Sequence, residues 1–216
     1  MSIWTETQVH CPECSHAFLA RTLEAANAAR LVHLREAIIA RELNRATCPR
    51  CLTEIVIERP MIYSDLERGE WIAVRRADEL ASWREHELAV RDSFRRHGRE
   101  GAPPAIRTLC RQVRVRVVFG YDDLRDKVLA WTAGLDDAMV ECAKLWALRD
   151  RIILANPLQR VLLDEVENDE LVLRSGQYTA RIARAAVLRL DRVDLSARYP
   201  ALFEEGFVSV TRLLAE

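Results

Sequence analysis

Residues 45–58 read RATCPRCLTEIVIE, and residues 9–18 read VHCPECSHAF. Each places Cys-Pro-X-Cys between extended-looking stretches, so each reads as a tight turn that carries two thiols toward one point. Proline at the second position pre-sets φ for the turn. Two such turns supply Cys11, Cys14, Cys48 and Cys51, the donor set of a closed tetrahedral zinc site with metal–sulfur distances of about 2.3 Å. One structural Zn2+ held by these four thiolates is the expectation. Ser15 and Leu52 stand where such knuckles often carry Gly, so residues for which positive φ is costlier must close these turns.

Working outward, 33 residues separate Cys14 from Cys48, against the ~15–20 common between C-x-x-C pairs. Leu31, Leu34, Ile38 and Leu43 fall near helical spacing inside that insert, which predicts an amphipathic helix over about 28–43. Thr5–His10 and His16–Leu23 read as a hairpin around the first knuckle. After Cys51, TEIVIERP alternates and is rich in β-branched residues; a turn at Glu67–Gly69 then leads to WIAVRR, so a small antiparallel sheet is expected. Asp78–His97 carries Leu80, Trp83, Val90 and Phe94 as the longest helical stripe and ends at Gly98.

Gly98–Ala105, containing GAPP, is the one segment with linker chemistry, so the expected division is 1–97 and 106–216 with a boundary near 98–105. In the second half, a strand over 113–119 precedes helices at 121–132 and 135–151. Gln159–Val166 and Glu170–Arg174 form an expected hairpin around Glu167-Asn168-Asp169, and 178–216 is ambiguous between strand and helix. The fold class is therefore α+β: a zinc-ribbon-like N-terminal module with a small antiparallel sheet, packed with a helical and hairpin-containing C-terminal half.

Composition excludes several classes. The chain has 216 residues, half of them hydrophobic, enough to bury a core without staples. Its formal charge of −1, from 32 basic and 33 acidic residues, supplies no field that would draw it onto nucleic acid or an anionic membrane. Only two of the basic residues, Lys127 and Lys144, are lysine; the bias looks like base composition and weakens arguments from arginine. The N-terminal MSIWTETQVH does not read as a secretory signal and no stretch is long enough to span a bilayer, so a cytoplasmic location is expected. In that reducing setting, paired C-x-x-C units hold metal or do redox chemistry more often than they form disulfides.

Other constellations have plainer readings beside the functional one. Asp122-Asp123 and Asp136-Asp137 resemble carboxylate pairs, but each opens a predicted helix, where acids cap free amides. From Arg91 to Arg116 there are eight arginines and two acids; the excess could meet phosphates, yet Arg114 and Arg116 alternating with valines equally mark a strand's outer face. Cys110 and Cys142 sit in apolar settings as core residues do, and His10 and His16 are surplus beside four thiolates. A thioredoxin-type C-x-x-C would need a helix N-terminus after a parallel strand, a setting neither knuckle has. Phosphate-loop, dinucleotide, nucleophile-elbow and H-E-x-x-H signatures are absent.

The two CPxC units, the run LNRATCPRC with ERPMIYSDLERGEWIAV after it, and RVVFGYDDLRDKVLAWTAGLDDAMVECAKLWAL downstream together resemble the CpXC domain family of bacteria and archaea, over most of the chain. The resemblance implies a metal-binding quartet at Cys11, Cys14, Cys48 and Cys51 and a scaffold without an assigned activity. The expected function is a zinc-binding interaction or scaffold protein with a protein partner and no catalysis. The alternatives are a nucleic-acid-binding regulator using Arg91–Arg116, and a thiol redox protein.

Overall fold

The computed structural model describes residues 2–153 and 160–214, and contacts divide the chain into two compact units, 1–124 and 125–216. In the first, β1 (Ile3–His10) and β2 (Ala17–Asn27) form a long antiparallel hairpin with the first knuckle at its tip. Then come α1 (Leu34–Ile39) and a short hairpin of β3 (Arg45–Thr47) and β4 (Glu54–Val56), with the second knuckle at its tip. β5 (Met61–Asp65) and β6 (Glu70–Arg75) follow. After α2 (Trp83–Phe94), a π-helical turn and α3 (Pro104–Cys110), the chain returns as β7 (Arg114–Phe119).

The main sheet has five strands in the order β1-β2-β5-β6-β7 and is mixed rather than purely antiparallel, as β2 pairs parallel to β5 and β6 parallel to β7. Parallel neighbours need a crossover of a dozen or more residues, and both crossovers come from insertions: the metal hairpin with α1 in one case, α2 and α3 in the other. The segment TEIVIERP therefore does not pair with WIAVRR. Its first residues turn back on β3, and the partner of β6 is β5, with Met61 opposite Val74 and Asp65 opposite Glu70. The expected insert helix shrinks to six residues: turns occupy residues 28–33 before it, and Arg41 at φ of 62° follows its end.

Strand β7 is buried along almost its whole length, and Arg116 is inside rather than on an outer face. Helix α2 explains this: it lays Val90 and Phe94 against the sheet, with the Phe94 ring 5.1 Å from that of Trp71. The segment 98–105, read from sequence as a boundary, runs instead inside the first unit. Gly98 packs close to Phe94 and Cys110, and β7 beyond it zips onto β6.

The divide falls within α4 (Tyr121–Thr132), between Leu124 and Arg125. The second unit adds α5 (Asp137–Arg149), a meander of β8 (Leu162–Glu167), β9 (Glu170–Ser175) and β10 (Tyr178–Ala183), and then α6 (Arg184–Leu188), α7 (Arg192–Arg198) and α8 (Val210–Leu214). The expected hairpin around Glu167–Asp169 is present; Gln159, its expected first residue, lies outside the described residues. Among the described residues no helix is long and apolar enough to cross a membrane.

Inside this unit lies a buried charge cluster. Glu141 Oε1 accepts from both Lys127 and Lys144 at 2.7 Å, and Asp126 Oδ2 accepts from Lys144 and from the Leu163 amide, each at 2.6 Å. Glu141 Oε2 takes the Val210 amide at 2.7 Å, and Asp137 accepts from the Trp131 indole at 3.1 Å. The chain's only two lysines are thus both buried here. An ammonium is a compact point charge with three donors, and it occupies less room between converging carboxylates than a planar guanidinium does. Their rarity in an arginine chain was the available signal.

Candidate metal centre

The two knuckles fold by the same rule. Ser15 donates its amide to Cys11 O at 2.9 Å and Leu52 donates to Cys48 O at 2.9 Å; the Cys11 amide closes on His16 O at 3.0 Å and the Cys48 amide on Thr53 O at 2.9 Å. Ser15 and Leu52 take φ of 56° and 61°, the positive values expected at positions where other knuckles use Gly. Each hairpin thus holds its pair of sulfurs on one turn.

What brings the pairs together is the packing of the second hairpin beside the first, and Asn44 governs it. Asn44 Oδ1 accepts from the Leu23 amide at 2.7 Å, and Nδ2 donates to Leu23 O at 3.3 Å and to the Tyr121 hydroxyl at 2.6 Å. Its own carbonyl accepts from Ile57 at 2.9 Å, just beyond β4. Asn44 adopts φ of 49°, a left-handed conformation that Asn tolerates better than most residues. From sequence it was only a polar residue before Arg45. The positive-φ tendency of Asn was the sole hint.

The four sulfurs converge. Cys11 Sγ lies 3.4 Å from Cys51 Sγ, Cys14 Sγ lies 3.7 Å from Cys48 Sγ, and all four atoms fall within 4.8 Å of one another. A tetrahedron of thiolates at the usual zinc distance of about 2.3 Å has edges of about 3.8 Å, so the donors fit a metal ion of that size. Cys11 and Cys48 are buried, Cys14 is half-buried and Cys51 is exposed. Thr53 Oγ1 stands 3.2 Å from Cys51 Sγ. Hydrogen bonding from the Thr53 side chain and backbone draws that thiol down to about 6. At Cys14 an amide hydrogen bond from the His16 segment pulls the pKa down, but burial and the neighbouring sulfurs outweigh it and lift the thiol to about 12.

The remaining sequence candidates lie apart from the quartet. His16 stacks on Phe18 at 6.4 Å between ring centroids. Cys110 and Cys142 are buried, each with its thiol raised, chiefly by burial. Of the acidic pairs, Asp136 caps α5 by accepting the Ala138 amide at 2.9 Å, and Asp123 accepts the Phe119 amide at 3.2 Å. The capping expectation does not extend to the other two. Asp122 pairs with Arg41 at 2.5 Å, and Asp137 is part of the buried cluster. Within Arg91–Arg116, Arg95 pairs with Asp92 and Glu100, and Arg114 pairs with Glu70.

No curated protein and no solved structure matches the chain. The family model described as CpXC protein does, over residues 9–144, a span that holds both knuckles, strands β2 to β7, and the chain as far as the buried Lys144. With its paired Cys-Pro-X-Cys turns meeting at one point, the chain belongs to the CpXC family.

Proposed function

We propose that Cys11, Cys14, Cys48 and Cys51 hold one structural zinc ion, and that the chain is a metal-stabilised interaction or scaffold protein of a reducing compartment, the cytoplasm, without catalysis of its own. The observation that carries this is the convergence of four sulfurs within 4.8 Å, on the tips of two hairpins. When bound, zinc supplies a cross-link and no Lewis-acid chemistry, because four thiolates leave no position for water. The chain's own part is to present the sulfurs. The knuckle turns orient each pair, Asn44 holds the hairpins side by side, and the first unit's sheet anchors both.

The alternatives have less support. In the thiol redox proteins a helix N-terminus activates one sulfur; here both pairs sit on hairpin tips. A nucleic-acid-binding regulator would use Arg91–Arg116, where Arg95 and Arg114 are neutralised by ion pairs and Arg116 is buried.

Metal analysis of the purified chain, coupled to affinity purification from the native cell, tests the proposal. About one zinc per chain and a stoichiometric protein partner are expected. A metal-free protein with four freely alkylated thiols, or salt-sensitive retention of nucleic acid alone, overturns it.

A further inference from the structure

Two adjoining hollows open on the second unit. The larger, about 270 Å³, lies between Leu145, Trp146, Leu195 and Tyr199. The smaller, about 120 Å³, lies between Ala143, Trp146, Ile182 and Val187. Trp146 and Leu190 line both, so the hollows form one groove between α5 and the α6–α7 segment with an indole standing in it. Trp146 is 42% exposed, and Leu188 and Val193 stand exposed on the same two short helices. A half-exposed tryptophan in an apolar depression is the kind of residue on which binding energy concentrates.

The margin of this groove is positively charged. Arg149 and Arg198 line the larger hollow, against one acid, Asp150. Arg149 donates to the Tyr199 hydroxyl at 2.5 Å, and the Arg149 and Arg198 guanidiniums lie 5.4 and 5.9 Å from the Tyr199 ring centroid. Among the described residues neither of these two arginines pairs with a carboxylate, whereas Arg174, Arg181 and Arg192 of the same unit do. Two guanidiniums against one carboxylate beside an apolar floor favour an occupant that brings apolar anchors and acids together.

We infer that this groove binds an amphipathic acidic helix of a protein partner. Two apolar side chains one turn apart fill the hollows on either side of Trp146, and flanking Asp or Glu residues pair with Arg149 and Arg198. Nucleic acid would find guanidiniums there but no use for the apolar floor. The inference rests on the interaction-protein reading and names the chemistry of the partner.

The test is a fluorescence-anisotropy titration of the full-length, metal-loaded chain with a short labelled Ala/Glu helix carrying Leu at i and i+4, and with the same peptide bearing Lys for Glu. The Glu peptide is expected to bind and the Lys peptide not. Trp146→Ala should weaken binding about thirtyfold or more, and Arg149→Glu combined with Arg198→Glu should transfer the preference to the Lys peptide. Circular dichroism and metal content, unchanged in the variants, separate these effects from misfolding. Equal binding of the two peptides, or indifference to Trp146→Ala, overturns the inference. So does a dimer in sedimentation that Trp146→Ala disperses, which would assign the groove to a second copy. A natural partner that the Trp146→Ala chain still retains sinks the groove alone and leaves the interaction reading standing.

Discussion

The side-chain amide of Asn44 bonds to both the N–H and the C=O of Leu23, at 2.7 and 3.3 Å, and so stands in for one residue of a neighbouring strand. Leu23 is fully buried, and water cannot replace this pairing. Asn44→Ala would leave two buried backbone groups unpaired, at a cost of about 2–4 kcal/mol. Denaturant unfolding should show that loss, and competition with a chelator should show weaker metal retention. Wild-type values for both would mean that the hairpins are aligned by something else.

Removal of a buried sulfur should be more damaging than removal of an exposed one. Cys48→Ser is expected to abolish stoichiometric metal and lower the unfolding midpoint, and Cys51→Ser to leave weakened binding, since Cys48 is buried and Cys51 exposed. Cobalt substitution reads this directly through the visible absorption of tetrahedral thiolate coordination. Because the donors bind as thiolates, protons compete with the metal, and acidification should release it with a steep pH dependence. Release that did not vary with pH would exclude thiolate ligation.

Leu52 occupies φ of 61° with its side chain 74% exposed, so it bears the left-handed penalty and gains little packing. Leu52→Gly should stabilise the metal-loaded chain by about 0.5–1 kcal/mol, seen as a higher thermal midpoint. Leu52→Val should do the opposite, as a β-branched residue fits this region worst. An inverted order would show that the exposed leucine makes contacts of its own.

The buried cluster of the second unit predicts an acid transition. Burial by itself would raise the Glu141 carboxyl, but the ammonium groups of Lys127 and Lys144 outweigh it and hold its pKa below the ordinary 4.5. A depressed carboxyl contributes stability that is present above its unfolded pKa and is lost as pH falls through the folded one. Stability should therefore decline below about pH 4.5, and near-ultraviolet dichroism of the tryptophans should follow it. Lys144 is shifted the other way: burial alone would lower it, but Asp126 and Glu141 raise it. Its contribution is therefore intact at neutral pH and is lost only in strong base.

Lys144→Met removes one ammonium and leaves Asp126 and Glu141 facing an apolar neighbour. Breaking a buried pair in this way costs about 3–5 kcal/mol. Lys144→Arg is expected to be destabilising too, since the larger guanidinium overfills a closely packed space that holds one ammonium. Equilibrium unfolding of the two variants decides this; a neutral Lys144→Arg would show the cluster to be less tightly built than its 2.6–2.7 Å contacts imply.

Much of this protein is written locally. The CPEC and CPRC turns, the need for positive φ at Ser15 and Leu52, the core placement of Cys110 and Cys142, the helix over 121–132 and the helix expected over 135–151 and found at 137–149 all follow from short-range chemistry: proline geometry, ligand softness and apolar spacing. The residues that assemble those pieces were not legible, because their roles depend on partners far away in sequence. Asn44 matters through Leu23 and Tyr121, and Lys144 through Asp126 and Leu163. TEIVIERP could pair with either β3 or β6 on alternation alone, and only the β2–β5 crossover that contains it selected β3. Sequence by itself determined the identity and spacing of the sulfurs. The tertiary structure decided that the two pairs meet, because convergence of two hairpin tips is set by buried hydrogen bonds between segments that no local pattern links.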